Sequence, residues 1–515
     1  MKINKKLEWK NIIGYSMYNF AGGTDMIAAV WLMYFYTTFC DVSIIAVGAI
    51  LTVTRFLTSL LSPIVGHISD NFYKNPLGRR FGRRKFFLLI CIPLRAMIIP
   101  LIWWPGQSTL YYCIVCVLGS CIGLLYLIPA KALLAEMPRS LDEKVKITGL
   151  TQFVSNLTSI SVSAFPGVMF TIFGQNNIES FSYMIWLYDV IATTCLIIFY
   201  CYIVERSVDE VGYNTNASER ISPLKWFKNM VSDTASTLKI RAYRSYLGMF
   251  LAQTICRAIS GSLHTYFVVF ILALGTTVVS VISTLSYMLG ILFLGMFVAI
   301  NNKVGGPKSY RVGAYIALTA FASYFVVAFM HPENSFILAC ALACLLYCGK
   351  SGMVNSTTYQ ASFIPDIDEA VTGVRREGSF TGVDNFTDAI FSAAEMLMVS
   401  LILGATGFVK GGQVQPDSAM NALVGLFTIT PSICIIIGLI ISYKSNFTLE
   451  RYHVLSTEVA RLRDGGLMSV ATPEAKVAFK DLTGFEYENC WGNNDVLCGN
   501  KESNQYEESK VALKR

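Results

Sequence analysis

The sequence predicts an all-α membrane protein with twelve transmembrane helices in two pseudo-symmetric six-helix bundles. Three observations support this fold class: an excess of apolar residues, twelve apolar stretches of spanning length, and basic residues concentrated in alternate loops. Of the 515 residues, 54% are hydrophobic and 15% are charged, whereas soluble domains carry roughly 25% charged residues. We therefore expect the chain to bind a lipid bilayer and no nucleic acid.

A stretch of about 20 apolar residues crosses a bilayer as a helix. We predict spans 1 to 12 at residues 11–38, 43–66, 85–104, 109–134, 148–172, 181–203, 243–273, 276–300, 312–330, 334–358, 378–409 and 419–443. The spacing predicts a first bundle at 1–204, an inter-bundle loop at 205–242, a second bundle at 243–443 and a tail at 444–515. In the tail, a charged amphipathic stretch predicts a short helix at about Leu455 to Arg463 with a flexible end.

The charge of the loops predicts the orientation in the membrane. Lys and Arg are concentrated in the loops between spans 2 and 3, 4 and 5, 8 and 9, and 10 and 11, whereas the opposite loops contain only Lys410. Short loops that are rich in Lys and Arg stay in the cytoplasm. We therefore expect a multi-pass membrane protein with both termini in the cytoplasm.

The loop between spans 2 and 3 contains the sharpest motif. Gly66 and Asp70 precede the run GRRFGRRK at residues 78–85. This pattern resembles the G-x-x-x-D-x-x-x-x-x-G-R-R signature of the major facilitator superfamily, and it implies the major facilitator fold. An acid near a helix end can pair with loop arginines in one conformational state. The predicted gating residues are Gly66, Asp70, Arg79, Arg80, Arg83 and Arg84. The alternative is a basic loop that topology alone requires.

Four segments narrow the resemblance. They are GYSMYNFAGGTDMIAAVWLMYFYTTF in span 1, DNFYKNPLGRRFGRRKFFLL after span 2, IPAKALLAEMPRSLDEKVKITGL near loop 4–5 and IPDIDEAVTGVRREGSFTG in loop 10–11. In this order they resemble the glycoside-pentoside-hexuronide:cation symporter family. Within that family, the second segment and the tail are most similar to bacterial oligogalacturonide-type transporters. The resemblance implies a sugar substrate, a coupling cation and a location in the bacterial inner membrane.

Charged residues inside membrane helices are costly, and they usually line a cavity, form pairs or bind substrates. Asp25 in span 1 matches the family's sugar-binding carboxylate, and Arg55 in span 2 matches a family arginine beside the ion site. For both residues the alternative is a structural ion pair. Tyr266 could stack on a sugar ring or belong to the packing.

The cation site of the family is altered in this chain. Thr58 and Ser62 stand where the melibiose branch of the family has carboxylates. Asp384 and Asp388 lie one turn apart in span 11 and could supply a proton-binding carboxylate instead. Alternatively, they pair with Arg257 or Lys350. Both H⁺ and Na⁺ therefore stay open as coupling ions, and no cofactor is expected.

Embedded cations favour an acidic substrate. Arg257 and Lys350 lie deep in their spans, and Arg binds carboxylates through paired hydrogen bonds. Gln152 replaces a family arginine at the start of span 5. We predict a monomeric symporter that imports an acidic oligosaccharide by alternating access. The alternatives are a neutral glycoside symporter, which uronate oligomers would not inhibit, and a sugar sensor, which deletion past about residue 450 would silence. An enzyme is not expected, since the sequence has no catalytic motif.

Overall fold

The computed structural model of the protein describes residues 7–138, 141–175, 177–205, 237–330, 335–373, 377–412 and 414–494. The first bundle contains α1 (Trp9–Ser16), α2 (Tyr18–Thr38), α3 (Ile44–Asn71), α4 (Pro76–Phe81), α5 (Lys85–Ile102), α6 (Thr109–Glu136), α7 (Leu141–Phe173) and α8 (Ile178–Tyr202). The second contains α9 (Arg241–Tyr266), α10 (Thr276–Val304), α11 (Gly306–Met330), α12 (Ser335–Ala361), α13 (Ile364–Thr372), α14 (Glu377–Ala405) and α15 (Asp417–Lys444). The tail contains α16 (Leu449–Arg463) and α17 (Pro473–Thr483).

The helices confirm the twelve-span fold. Among the described residues, 11 helices are long and apolar enough to cross a membrane. The remaining span is α2, whose 21 residues include Asp25 at mid-length. Together with α1, it forms the predicted span 1, with Met17 between the two helices. Most of the predicted inter-bundle loop, residues 206–236, lies outside the described residues, so its limits stay a prediction.

Polar caps and small residues explain several helix ends and contacts. The side chains of Ser43, Ser108 and Asn177 each accept a backbone N–H in the first turn of α3, α6 and α8. Between α11 and α12, a Cβ added at Gly313 would lie 2.8 Å from the backbone oxygen of Gly349. Without that Cβ, the two helix backbones pack directly against each other, as is usual in membrane bundles.

Among the described residues, the two bundles pack against each other mainly along three helix pairs. Helix α3 packs on α14, α7 packs on α10, and α2 packs on α9. Helices α2, α3, α9 and α14 carry all but one of the embedded charges that the sequence singled out, so these charges lie on the helices along which the bundles meet. The exception is Lys350, which lies in α12.

The tail is folded as far as residue 494, which the sequence did not indicate. Residues from α16, α17 and the segment after α17 form a second hydrophobic core against α13 and the start of α9. This core includes Leu455, Val459, Leu462, Phe479, Leu482, Tyr487, Cys490, Ile364, Ile367, Val371, Tyr243 and Tyr246. The predicted flexible end can therefore begin only after 494, and residues 495–515 lie outside the described residues.

Hydrogen bonds fix the tail to α13. The backbone N–H groups of Trp491 and Gly492 donate to the carbonyls of Ala370 and Val371, each at 2.9 Å. The last carbonyls of a helix have no partner within the helix, so the tail caps this one. The guanidinium of Arg463 donates to the carboxylate of Glu369 at 2.7 to 3.0 Å.

We expect Arg463→Ala to loosen the tail. Burial raises the pKa of the Cys490 thiol to about 11, so at neutral pH roughly one thiol in ten thousand is ionised, and alkylation of Cys490 requires local opening. The substitution leaves the buried Glu369 carboxylate without its arginine. Because Arg463 is half-exposed, we expect a loss of only about 1–2 kcal/mol, or roughly 5- to 30-fold faster alkylation.

Peptide mass spectrometry after a timed iodoacetamide pulse measures this rate. Lys480→Ala is the matched control, because the Lys480–Glu486 pair is exposed on both sides. Equal alkylation rates in the two variants would contradict the proposed clamp.

Candidate functional site

Asp25 is held by buried groups and is itself exposed. Its side chain is 55% exposed, although it lies at mid-length of α2. Its Oδ2 accepts hydrogen bonds from Arg95 of α5 at 3.1 Å and from the hydroxyl of Tyr126 of α6 at 3.2 Å. Oriented in this way, the free edge of the carboxylate can accept hydrogen bonds from a polar ligand.

Arg95 is the buried anchor of this group. Its side chain is 2% exposed. Its Nη2 donates to the carbonyl of Ala21 at 2.7 Å and to the hydroxyl of Thr24 as well as to Asp25. The guanidinium also lies 4.9 Å from the ring centroid of Tyr126, a cation–π contact. The sequence singled out Asp25 but not the anchor roles of Arg95 and Tyr126, since only folding brings α5 and α6 next to α2.

The second bundle carries two basic groups near its inner helices. Arg257 of α9 pairs with Asp388 of α14 at 3.4 Å, and both side chains are partly exposed. The ammonium of Lys350 in α12 donates to the hydroxyl of Ser260 at 2.9 Å. Of the two sequence alternatives for Asp388, the structure shows the ion pair with Arg257.

Asp384 has a different environment from Asp388. Its two carboxylate oxygens accept hydrogen bonds from the hydroxyls of Tyr243 at 3.2 Å and Tyr246 at 2.7 Å. Both tyrosines also belong to the hydrophobic core of the tail. Among the described residues, no basic group lies within ion-pair distance of Asp384, so neither Arg257 nor Lys350 is its partner here.

Among the described residues, the other predicted binding residues of the first bundle make no side-chain hydrogen bond to another helix, although the charge of Arg55 acts on the Glu395 carboxyl group of α14. Arg55 and Gln152 are exposed, and Thr58 and Ser62 are half-buried. The Thr58 hydroxyl donates to the carbonyls of Thr54 and Arg55 in its own helix. This arrangement neither assembles nor excludes a cation site at Thr58 and Ser62.

Several contacts close one end of the molecule between the two bundles, and we name this region the closed end. The hydroxyls of Thr37 and Tyr266 lie 2.7 Å apart. Lys410 donates to Asp41 at 2.9 Å, and the backbone N–H of Gly411 donates to the carbonyl of Thr37 at 2.8 Å. Tyr266, expected as a possible sugar-stacking residue, is fully buried here and contributes to this closure.

The basic loop lies at the opposite end, between α3 and α5. Arg79 and Arg80 are exposed, whereas Arg83 and Arg84 are buried. Glu205, after α8, accepts the backbone N–H groups of Arg84 at 3.0 Å and Lys85 at 3.1 Å. Its carboxylate also lies 3.7 Å from the guanidinium of Arg83.

The acidic partner at Arg83 was not predicted, because Glu205 was assigned to the inter-bundle loop. Gly66 lies in the last turns of α3. The side chain of Asp70 lies outside the described residues, so its pairing with the loop arginines stays a prediction. Arg375 and Arg376 of loop 10–11 also lie outside the described residues.

Known proteins share this architecture over nearly the whole membrane region. The chain is 23% identical over 471 residues to the uncharacterized symporter YnaJ of Bacillus subtilis (strain 168), covering 88% of this chain and 95% of that protein. It is 20% identical over 469 residues to the glucuronide carrier protein homolog of Escherichia coli (strain K12), covering 89% and 96%. The crystal structure of the nucleoside transporter NupG superimposes with a TM-score of 0.58 at 11% identity, covering 85% of this chain and 99% of that one.

These similarities confirm the family resemblance that the sequence motifs indicated, and they place the chain among transporters and not among enzymes. The sequence model of the family described as MFS/sugar transport protein matches residues 15–449. This range extends from the start of the first bundle to the first residue of α16. The chain therefore belongs to the MFS/sugar transport protein family, within the major facilitator superfamily.

Proposed function

We propose that the protein is a cation-coupled symporter that imports a sugar, most specifically an acidic, uronate-containing oligosaccharide. Asp25 is the observation that carries this proposal. A half-exposed carboxylate that is oriented by a buried arginine and a tyrosine is a preorganised acceptor for sugar hydroxyls. Similarity to a glucuronide carrier homolog and to another symporter supports the same reading.

Exposed basic groups support the acidic substrate class. Arg55 and Arg257 belong to opposite bundles, and both are exposed despite lying at mid-helix. Arg257 has one weak partner, the Asp388 carboxylate at 3.4 Å, so its guanidinium can also take a ligand carboxylate. We infer that Asp25 binds hydroxyls and that Arg55, Arg257 and Lys350 neutralise the uronate charge.

The closed end supports alternating access. Cross-bundle hydrogen bonds extend from Lys410–Asp41 to the Thr52 hydroxyl and the Ala393 carbonyl, 3.2 Å apart in the middle of α3 and α14. Asp25, Arg55 and Arg257 are nevertheless exposed, and we infer that solvent reaches them from the end that carries the basic loop, because the contacts named above close the other end. With that end in the cytoplasm of a bacterial inner membrane, as the loop charges favour, this arrangement is the inward-facing state of an importer.

Counterflow in proteoliposomes tests the proposed function. Vesicles preloaded with unlabelled digalacturonate should take up labelled digalacturonate, and a neutral disaccharide such as melibiose should compete poorly. Imposed Na⁺ and proton gradients, varied separately, identify the coupling ion. Absence of counterflow with either sugar would contradict the proposed sugar transport. If melibiose competes as well as digalacturonate does, the acidic specificity is wrong and the protein is a neutral glycoside carrier.

We expect Arg257→Gln to reduce the preference for acidic sugars. The change removes a cation that can bind a carboxylate through two parallel hydrogen bonds, and a charged hydrogen bond contributes about 1.5–3 kcal/mol. The apparent affinity for digalacturonate should therefore fall roughly 10- to 100-fold, while neutral sugars are little affected. The competition assay above measures both. Arg244→Gln, at an exposed arginine near the start of the same helix α9, is the matched control. An equal loss for both sugars would contradict the role of Arg257.

A further inference from the structure

A buried acid beside Asp25 is not used by the proposed binding site. Asp189 lies at mid-length of α8, and the residue is 5% exposed. Its Oδ1 is buried without a hydrogen-bond partner. Helix α8 packs on α2 and α5, which carry Asp25 and Arg95, and the charges of both residues act on the Asp189 carboxyl group.

Arg95 has matching unused donors. Its Nη2 is committed to α2, but Nε and Nη1 are buried and have no hydrogen-bond partner among the described residues. Buried polar groups are nearly always paired. Unused donors of Arg95 and an unused acceptor of Asp189 between the same three helices therefore require an explanation.

A change in the protonation of Asp189 explains both the unused donors of Arg95 and the unused acceptor of Asp189. An ionised carboxylate that is buried without a pairing group is costly, and the neutral acid is much less so. The arrangement seen here, with Arg95 on Asp25 and Asp189 unpaired, therefore fits a protonated Asp189. Once ionised, Asp189 would attract the free N–H groups of Arg95 and weaken the hold of Arg95 on Asp25.

We propose that Asp189 is the proton-binding site of the symporter and that Arg95 links its protonation to sugar binding at Asp25. This inference rests on the proposed function as a sugar symporter. It differs from the sites that the sequence suggested, because Asp388 is paired with Arg257 and Asp384 is held by two tyrosines.

The cycle moves one proton with each sugar. On the side from which sugar enters, a proton from water forms an O–H bond on Asp189, and Arg95 orients Asp25 for the sugar hydroxyls. On the other side that O–H bond breaks and the proton returns to water. The Asp189 carboxylate then takes the Nε and Nη1 donors of Arg95, Asp25 is released from its anchor, and the sugar leaves.

Other groups on the neighbouring helices do not offer an alternative partner. Asp25 is the one charged residue of α2, and Arg95 is the one in the interior of α5. The membrane part of α7, residues 147–173, contains no Asp, Glu, Lys, Arg or His. The thiol of Cys91 in α5 donates to the Ile122 carbonyl, and the hydroxyl of Tyr15 in α1 donates to the Ala130 carbonyl. On α8 itself, the nearest titratable groups along the chain are Tyr188 and then Tyr183 and Cys195, which are each six residues from Asp189. Tyrosine and cysteine side chains are ordinarily neutral at pH 7.

Asp189→Asn fixes the neutral state and tests the proposal. Counterflow of digalacturonate should continue, and its binding affinity should no longer change between acidic and mildly alkaline pH. Accumulation driven by a proton gradient should fall about tenfold or more, and the uptake of protons on addition of digalacturonate should disappear. Asp189→Glu should retain coupling with a shifted pH profile, which separates loss of the acid from loss of folding.

Glu395→Gln is the matched control. Glu395 is a similarly buried acid in α14, where its carboxylate accepts the Ser262 hydroxyl at 3.2 Å and the charge of Arg55 acts on it. Because Arg55 belongs to the proposed sugar site, the sugar affinity of this variant can change, but we expect its transport to remain coupled to the proton gradient. Proton-driven accumulation by Asp189→Asn, or accumulation by the wild type with Na⁺ alone, would overturn the proposal. Absence of counterflow in the wild type would instead contradict the proposed function.

Discussion

Asp25→Asn is expected to weaken sugar binding roughly 10- to 100-fold, because a hydrogen bond to a charged acceptor contributes about 1.5–3 kcal/mol. The amide keeps the size of the side chain but removes its charge. It also presents N–H donors where the acid presents only acceptors. Because Arg95 and Tyr126 both donate to Oδ2, the amide oxygen must face them, which turns the NH₂ group toward the sugar.

Binding of digalacturonate to the purified protein, measured by calorimetry, checks this result independently of transport. Asp41→Asn is the matched control, since Asp41 is an exposed acid that contacts Lys410 at the closed end. A thermal unfolding scan of both variants shows whether the loss reflects binding or folding. Unchanged affinity of Asp25→Asn would remove Asp25 from the site.

Gly48→Leu is expected to reduce transport roughly 10- to 100-fold while sugar binding is retained. Gly48 lies in α3, where a Cβ would overlap the Oγ and Cβ of Ser400 in α14. The same pair of helices makes a second close contact between Ile45 and Gly404. A leucine at position 48 therefore prevents the two helices from meeting, and the protein cannot reach the state in which this end is closed.

Initial rates of counterflow, compared with calorimetric affinity on the same preparation, measure the two effects separately. Gly295→Leu in α10 is the matched control, because a Cβ there meets no atom within 4 Å. Normal turnover of Gly48→Leu would show that closure at α3 and α14 is not required for transport.

The fold could be predicted from the sequence because lipid imposes a strong and local pattern. Each span must satisfy its backbone hydrogen bonds internally, so a continuous apolar stretch such as residues 109–134 is sufficient to identify a helix. Asp25 could also be identified as a candidate site residue from the sequence, because a single acid within an apolar span is costly and is usually functional. The short loop motif indicated the superfamily, and four longer segments in the same order indicated the family.

The partners of these residues could not be predicted from the sequence. Arg95 contacts Asp25 across 70 positions of the chain, and no periodicity within α2 or α5 encodes which helices become neighbours. Glu205 and Arg83 meet in the same way across the first bundle. The fold of the tail was not predicted because α17 has only 11 residues. Its apolar face can be recognised only when it is seen packed in the same core as α13.

The capped end of α13 has a practical consequence for the design of truncations and fusions. Removal of the chain after residue 450 would take away Trp491 and Gly492, leave helix carbonyls unpaired and uncover Tyr243 and Ile367. Such a truncation would fail to accumulate through misfolding, so lost uptake in it would be no sign of signalling. A reporter or affinity tag placed beyond residue 494 preserves the cap and is the suitable position for following the protein in cells.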